Sequence, residues 1–307
     1  MTREEKSDQL LKKMKKKTAK EKRKRHIKTF LKLFLVLSFI VVGIIFYAMF
    51  IATNGLVINE NKISEEKLPS TFDSLKIIQF SDLHYNSSFS LENTKKMVKE
   101  INKRNPDIVV FTGDLIDKNF SINDDIIKKL SLELSKIVAP LGKYAVSGNQ
   151  DYASNYFEDI MTRSNFKILN NQSELIYKDG YNPFLLVGLA SSYLDNRNIQ
   201  DGFSYLKENP NNELYTVLLL HEPDSIDTIL TDYKVDLALA GHSHNGQIRL
   251  PLLGGILNKE GALKYKEPFY QIGQTKLYIS GGLGTSNIPF RLFNHPSINF
   301  FRFKKEI

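Results

Sequence analysis

The longest apolar segment of the chain covers residues 33–52, LFLVLSFIVVGIIFYAMFIA, and contains no charged residue. At 1.5 Å per residue, a helix of about this length matches the ~30 Å hydrocarbon core of a bilayer. A buried core helix would show a polar stripe, and a cleaved signal peptide usually has a shorter apolar region and a small-residue cleavage site. No A-x-A pattern occurs around Ala48 and Ala52. The pattern therefore predicts an uncleaved transmembrane helix.

Shorter apolar runs predict a sheet. Five of them stop at polar residues, namely LKIIQF before SDLH, DIVVF before TGD, KYAV before SGN, TVLLL before HEPD and VDLALA before GHSH. Their length and their Val, Ile and Leu content are typical of buried strands. Helical segments lie between the first three, and Ser90 with Asn93 predicts the cap of the first helix. This alternation predicts an α/β fold with a partly parallel sheet, whose polar residues gather at the carboxyl ends of the strands.

Three later runs, PFLLVGLASS, KLYISGGLG and INFFRFKK, have no long helix between them and predict a second sheet packed on the first. Residues 53–70 are polar and predict a linker. The expected organisation is a basic tail over 1–32, a transmembrane helix over 33–52, a linker over 53–70 and a globular domain over 71–307.

The charge of the chain is concentrated at one end. Residues 1–32 contain 14 Lys or Arg and 4 Asp or Glu, a local charge of +10, whereas the whole chain carries +8. The remaining residues together carry −2, which excludes a basic body. Only Lys62 and Lys67 follow the apolar segment within eighteen residues, so the distribution predicts a cytoplasmic tail and an extracytoplasmic domain. Attraction to anionic headgroups accounts for the tail, and we expect no nucleic-acid partner.

The polar residues after the five strands form a candidate metal-ligand set. The chain has no cysteine, so any metal must bind nitrogen and oxygen. Each residue alone is better explained as a turn, cap or core residue, but together they favour a site for two divalent ions, with manganese, iron or zinc preferred over calcium or magnesium. The candidates are Asp82, His84, Asp114, Asn149, His221, His242 and His244.

These motifs resemble the calcineurin-like metallophosphoesterase family. The matching blocks are D-L-H at 82–84, G-D-L-I-D at 113–117, G-N-Q-D at 148–151, His221 and G-H-S-H at 241–244. HEPD at 221–224, the extended motif GHSHNGQIRLP and GLGTSNIPFR at 282–291 resemble a membrane-anchored bacterial branch of the family. The resemblance covers about residues 72–307.

The resemblance implies a four-layer α/β/β/α sandwich and a ligand set. Asp82, His84 and His244 would hold one metal, Asn149, His221 and His242 the other, and Asp114 would bridge them. It further implies a phosphoesterase in which a hydroxide bridging the metals attacks phosphorus. The implied substrates are phosphomonoesters, phosphodiesters or pyrophosphates, including nucleotide-linked or lipid-linked phosphates.

One motif departs from the family pattern. Where the family has a histidine after Gly-Asn, supported by an acid equivalent to Asp117, this chain has Gln150. A glutamine amide can donate a hydrogen bond but cannot act as an acid. We therefore expect an enzyme that keeps both metals and favours good leaving groups, or one that uses another acid such as Asp151. Asn245 replaces a second glycine, and a larger side chain at this position could alter the pocket rim.

Two other functions are compatible with the sequence. A protein that binds a phosphate ligand through its metals could have lost turnover together with the missing histidine. Alternatively, the basic tail could be the functional part and the outer domain a scaffold.

Overall fold

The computed structural model describes residues 2–86, 89–153, 156–194, 197–285 and 289–306. It divides into two compact units, Met1–Ala48 and Met49–Ile307. The helices are α1 Arg3–Phe46, α2 Leu91–Asn102, α3 Asp124–Ser135, α4 Tyr156–Arg163, α5 Ile199–Gly202, α6 Ser204–Glu208 and α7 Ile226–Asp232. The strands are β1 Val57–Glu65, β2 Lys76–Phe80, β3 Ile108–Thr112, β4 Lys143–Val146, β5 Lys167–Ile168, β6 Gln172–Ile176, β7 Phe184–Gly188, β8 Thr216–Leu219, β9 Leu237–Ala240, β10 Arg249–Leu250, β11 Gly254–Gly255, β12 Phe269–Ile272, β13 Thr275–Ile279 and β14 Ser297–Lys305.

The first unit is helix α1, which runs without interruption through the basic segment and continues into the apolar segment as far as Phe46. A π-helical turn, Tyr47–Ile51, follows it. Within the described residues, this is the one helix whose length and hydropathy allow it to cross a membrane.

The second unit is built on two six-stranded sheets. The first has the order β1-β14-β2-β3-β4-β5 and the second β12-β13-β9-β8-β7-β6. Strands β2 to β5 pair in parallel, as do β7, β8, β9 and β13. Parallel pairing places the carboxyl ends of neighbouring strands at one edge of each sheet.

Three apolar clusters pack the helices and the two sheets of the second unit into layers. One packs α2, α3 and α4 on the outer face of the first sheet, and includes Met97, Leu130 and Phe111. The second fills the space between the sheets with side chains of alternate strand positions such as Val110 and Leu239. The third covers the outer face of the second sheet with α7 and neighbouring segments. The predicted α/β/β/α sandwich is therefore confirmed.

Helix α2 begins as predicted. Ser90 is its N-cap, with the Ser90 side chain and the Asn93 side chain forming a reciprocal capping box. This arrangement satisfies backbone N–H groups that the first helical turn leaves without partners.

Two sequence predictions are wrong in detail. The linker expected over 53–70 contains strand β1, which pairs in parallel with β14 along nine residues and buries Ile63 completely. The globular unit therefore begins well before residue 71. In addition, INFFRFKK belongs to the first sheet, because β14 inserts between β1 and β2 and runs antiparallel to β2.

A buried polar side chain connects the two sheets near their carboxyl ends. Gln79 of β2 donates hydrogen bonds to the Thr112 hydroxyl (3.0 Å) and to the Ala240 carbonyl of the second sheet (2.8 Å). Its own amide oxygen accepts a hydrogen bond from Asn299 (3.0 Å). Because every polar atom of the Gln79 amide group has a partner, the network can lie in the interior and fix the relative position of the strand ends.

Candidate metal centre

All seven candidate ligands follow the carboxyl ends of strands, and the two sheets contribute them together. The loops after β2, β3 and β4 carry Asp82, His84, Asp114 and Asn149, and those after β8 and β9 carry His221, His242 and His244. The backbone N–H of His242 donates to the Asp82 carboxylate at 3.2 Å and 3.1 Å, so a residue of the second sheet directly contacts one of the first.

The backbone at the centre is strained. Asp82, His84, Asp114, His242 and His244 have φ angles of 49°, 41°, 62°, 67° and 49°, in the left-handed region that residues other than glycine rarely adopt. Such conformations persist where the surrounding structure enforces them, and they cluster at functional sites. The backbone of the neighbouring loop lies close by, since a Cβ atom at Gly148 would lie only 2.5 Å from the backbone nitrogen of Asp114.

The first ligand group consists of Asp82, His84 and His244, all fully buried. His244 Nε2 lies 3.2 Å from Asp82 Oδ1 and 3.1 Å from His84 Nε2. Three donor atoms from the loops after β2 and β9 thus face one small volume.

The second ligand group consists of Asp114, His221 and His242. His221 Nε2 lies 3.4 Å from Asp114 Oδ2 and 3.2 Å from His242 Nδ1. The same Asp114 oxygen lies 3.6 Å from His84 Nε2. A single carboxylate oxygen is therefore close to imidazoles of both groups.

Backbone carbonyls determine which imidazole nitrogens face the centre. His221 Nδ1 donates to the Thr112 carbonyl at 2.7 Å, and His242 Nε2 donates to the Glu260 carbonyl at 2.7 Å. The remaining nitrogens, Nε2 of His221 and Nδ1 of His242, point toward each other and toward Asp114. Hydrogen bonds of this kind orient histidine ligands in metal sites.

Burial and neighbouring charges set the protonation of the centre. Burial lowers the pKa of His84, and burial and the His221 charge lower that of His242 to about 4. Burial would raise the pKa of Asp82, but the imidazoles around it, His244 foremost, hold it well below its usual value. Burial opposes a charge on His221 as well, yet Asp114 and Asp82 raise its pKa to about 10. At neutral pH Asp82 is therefore ionised, and His84 and His242 are neutral. These are the forms that bind cations.

The donor set fits divalent metal ions. Asn149 Oδ1 is buried and has no hydrogen-bond partner among the described residues, which leaves its lone pairs available. With it, the centre offers neutral imidazoles, carboxylates and an amide oxygen, a combination typical of manganese, iron and zinc sites.

Gln150 and Asp117 lie beside the centre, and both are partly buried. The Gln150 backbone N–H donates to Asp114 Oδ1 at 2.8 Å, and its side-chain oxygen accepts from the Lys118 N–H at 3.0 Å. Asp117 accepts from the Asn119 N–H at 2.9 Å. The glutamine oxygen is thus occupied by the backbone, and its NH₂ group remains the part that can donate to a substrate.

The sequence suggested Asp151 as an acid that could act in place of the missing histidine, but its position does not suit that role. It is buried, and its carboxylate accepts backbone hydrogen bonds from Asp114 (2.8 Å), Leu115 (2.7 Å) and Gly148 (2.8 Å). Burial and the Asp114 charge raise its pKa to about 7. Because its oxygens hold two loops together, Asp151 is a positioning residue.

Asn245 does not lie at the pocket rim, so that prediction is wrong. Its side chain is buried, and its amide nitrogen lies 3.0 Å from where a Cβ atom of Gly281 would be. Its φ angle is 51°, and asparagine tolerates this left-handed conformation better than most residues. The residue therefore occupies a buried turn position next to Gly281.

Sequence reasoning missed several residues that shape the centre. The Glu222 carboxylate accepts hydrogen bonds from the Ser192 backbone and hydroxyl (2.7 and 3.0 Å). Arg291 is fully buried and lies 3.4 Å from His244 Nδ1. Lys259 interacts electrostatically with Asp82 and Asp114. The HEPD motif contained a signal for Glu222, but no spacing rule marks Lys259.

A separate cleft of about 720 Å³ lies at the amino ends of the second sheet, next to Thr216, Asp236 and Thr275. It contains none of the candidate ligands. Its position at the other end of the strands separates it from the metal centre.

Comparison with known proteins agrees with the resemblance. The sequence model of the calcineurin-like phosphoesterase family matches residues 75–246. The metallophosphoesterase YkuE of Bacillus subtilis is 34% identical over 263 residues, covering 84% of this chain and 89% of its own. A metallophosphoesterase of Aquifex aeolicus is 32% identical, covering 81% and 92%. The UDP-2,3-diacylglucosamine pyrophosphatase LpxG of Chlamydia muridarum is 29% identical, covering 77% and 86%.

Proposed function

Because the chain belongs to the calcineurin-like phosphoesterase family and is a metal-dependent phosphoric ester hydrolase, we propose that it is a membrane-anchored enzyme with a dinuclear centre. It cleaves a phosphomonoester, phosphodiester or pyrophosphate bond. The observation that carries the proposal is the position of Asp114 Oδ2, 3.6 Å from His84 Nε2 and 3.4 Å from His221 Nε2.

The ligands divide between two ions. Asp82, His84 and His244 would hold one, Asn149, His221 and His242 would hold the other, and Asp114 lies close to imidazoles of both groups. Two divalent ions, when bound, neutralise phosphoryl oxygens and lower the pKa of water. Manganese, iron and zinc suit this donor set best.

The protein contributes a buried and pre-oriented site. Burial keeps His84, His242 and His244 neutral, and a neutral imidazole retains the lone pair that a cation needs. The Thr112 and Glu260 carbonyls hold two of the rings in position. Since these contacts exist before any substrate binds, little reorganisation is needed during the reaction.

Gln150 determines which leaving groups are favoured. Its NH₂ group can donate a hydrogen bond to a phosphoryl oxygen, but it has no proton to give to the departing oxygen. An alkoxide needs that proton, whereas a phosphoanhydride or aryl leaving group does not. The absence of an acid at this position therefore favours pyrophosphates and aryl esters.

An exposed apolar hairpin favours a lipid-linked substrate. The hairpin formed by β10 and β11 begins five residues after His244 and exposes Leu252 (106%), Leu253 (74%) and Ile256 (46%) at its turn and edge. Apolar side chains grouped in this way mark contacts with apolar ligands or membranes. The relative LpxG is named for a pyrophosphatase activity on UDP-2,3-diacylglucosamine, and we propose a substrate of the same chemical kind, a pyrophosphate or phosphate attached to a lipid.

We propose that α1 anchors the enzyme with its basic tail in the cytoplasm and the centre outside. The chain lacks cysteine, so single cysteines report topology directly. A Lys234→Cys variant should react with a membrane-impermeant maleimide on intact cells, and a Lys16→Cys variant only after lysis. The opposite pattern would contradict this orientation.

The function is tested by hydrolysis of p-nitrophenyl phosphate and bis(p-nitrophenyl) phosphate by the purified full chain in detergent. We expect release of p-nitrophenol that chelation abolishes and added Mn²⁺ restores. A protein that loads metal and binds phosphate but releases no product would contradict the proposal and favour a binding role.

A further inference from the structure

The segment between β11 and β12 is fixed against the metal centre by several contacts. The Glu260 carbonyl accepts the hydrogen bond of His242 Nε2 at 2.7 Å. The Gly261 carbonyl accepts from the Asp224 N–H at 2.9 Å. The Asp224 carboxylate in turn accepts from the N–H groups of the three residues Leu263, Lys264 and Tyr265. A backbone held at so many points positions its side chains precisely.

Lys259 is carried by this segment, one residue before the carbonyl that contacts His242. Its side chain is partly buried. Its charge acts on Asp82 and on Asp114, which belong to different ligand groups, and it also lowers the pKa of His84, His242 and His244. The ammonium group is therefore within electrostatic range of both ligand groups.

Other cations near Lys259 have acceptors within the protein, and the buried Arg291 donates to the Gly281 and Gly284 carbonyls. Arg249 forms an ion pair with Glu267, Lys264 pairs with Asp227, and Lys266 donates to Asn258. Lys259 Nζ donates no hydrogen bond to any residue in the described part of the chain. An ammonium group without an acceptor in the protein is available to a ligand, and divalent cations beside it would repel it unless an anion lay between them. An anionic oxygen at the centre would satisfy it.

We propose that Lys259 binds a phosphoryl oxygen of the substrate and is a catalytic residue of this enzyme. The inference rests on the proposed function and extends it, since the fixed positive charge stabilises the negative charge that develops on the phosphoryl group. It also supplies a charged donor near a centre in which Gln150 offers only a neutral one.

If Lys259 had a purely structural role, a different experimental result would be expected. If Lys259 served only to balance the charges of Asp82 and Asp114, its removal would disturb the ligands and weaken metal binding. If it binds phosphate, its removal leaves the metals in place, or binds them more tightly because a like charge has gone, and weakens the anion alone.

The test uses the Mn²⁺-loaded full chain in detergent, with inorganic phosphate as the probe in calorimetric titration and elemental analysis of bound metal in parallel. Lys259→Met should weaken phosphate binding roughly 10- to 100-fold with unchanged metal content, and Lys259→Arg should recover part of the affinity. Lys264→Met, which removes a neighbouring exposed charge, should leave phosphate binding unchanged.

Unchanged phosphate affinity in Lys259→Met would overturn the inference, and so would a parallel loss of metal and phosphate. A wild-type protein that binds phosphate but hydrolyses no ester would contradict the proposed function while the titration still tests Lys259. In an active enzyme, Lys259→Met should raise KM and lower kcat, whereas Lys264→Met should change neither.

Discussion

The carboxylate of Asp151 accepts a hydrogen bond of 2.8 Å from the backbone N–H of Asp114, the residue whose side chain lies between the two ligand groups. The same carboxylate holds Gly148 and Leu115. Asp151 thus fixes the loop after β3 against the loop after β4, and with it the left-handed backbone of Asp114.

We predict that Asp151→Asn lowers both stability and metal affinity. An amide NH₂ group cannot accept, so one or more buried N–H groups lose their partner, at about 1–3 kcal/mol in the free energy of unfolding. Metal affinity should fall roughly 10- to 100-fold because a ligand is less well oriented. Urea unfolding followed by tyrosine fluorescence and Mn²⁺ titration measure the two effects. Asp159→Asn, at a partly exposed position of α4 where the side chain pairs with Arg163, is the control and should stay within about 0.5 kcal/mol of wild type.

Gln150 should determine the preference for leaving groups. We predict that Gln150→His accelerates hydrolysis of alkyl phosphates relative to aryl phosphates, by up to about 10²-fold, because a histidine can protonate an alkoxide. Gln150→Met, which has neither donor nor acid, separates proton donation from hydrogen bonding. An alkyl-to-aryl rate ratio that is the same in Gln150→His and wild type would count against this role.

Metal loading should release a proton from His221. Asp114 and Asp82 raise its pKa to about 10 in the metal-free protein against the pull of burial, so it is protonated at neutral pH, and a metal ligand must lose that proton. The pKa of His221 in the folded protein exceeds its unfolded value of 6.5. Protonated His221 therefore adds to the free energy of unfolding below pH 6.5, and this contribution is lost as the pH rises toward 10.

The apparent Mn²⁺ affinity should therefore increase between pH 6.5 and 8.5, by up to about tenfold per pH unit. Calorimetry in buffers of different ionisation enthalpy counts the released protons. An affinity that is independent of pH over this range, with no proton release, would show that His221 is already neutral.

The apolar hairpin should matter only for acylated substrates. We predict that Leu252→Ser combined with Leu253→Ser raises KM for UDP-2,3-diacylglucosamine several-fold, because each exposed leucine would bury apolar surface against acyl chains. It should not change KM for a UDP-sugar without acyl chains. Leu132→Ser, which changes an exposed leucine on α3, is the matched control. An equal effect on both substrates would argue against a lipid contact.

Much of the sandwich follows from the sequence because its central strands are short, uniformly apolar and bounded by polar ligands. Strand β1 could not be predicted in this way, because its sequence VINENKISE is mostly polar and only Ile63 is buried. Its pairing with β14 joins segments about 240 residues apart, and local patterns carry no information about such a partner. The polar sequence consequently resembled a linker.

The candidate ligands could be predicted from the sequence because their order and spacing mark them jointly. Lys259 has no such mark, because a lysine in a loop is usually solvated. Its position depends on contacts of its neighbours with Asp224 and His242, which become visible only in the folded chain. Asn245 illustrates the reverse error, since a polar side chain expected at the rim is buried through its left-handed backbone.

The most direct test of the dinuclear centre is elemental analysis of the purified full chain beside its Asp114→Asn variant, with p-nitrophenyl phosphate hydrolysis measured on the same samples. We predict two equivalents of metal in the active wild type, and fewer in the variant with activity reduced at least 100-fold, because the oxygen between His84 and His221 is neutralised. One equivalent or none in a fully active wild type, or an Asp114→Asn protein with undiminished metal and activity, would contradict the account.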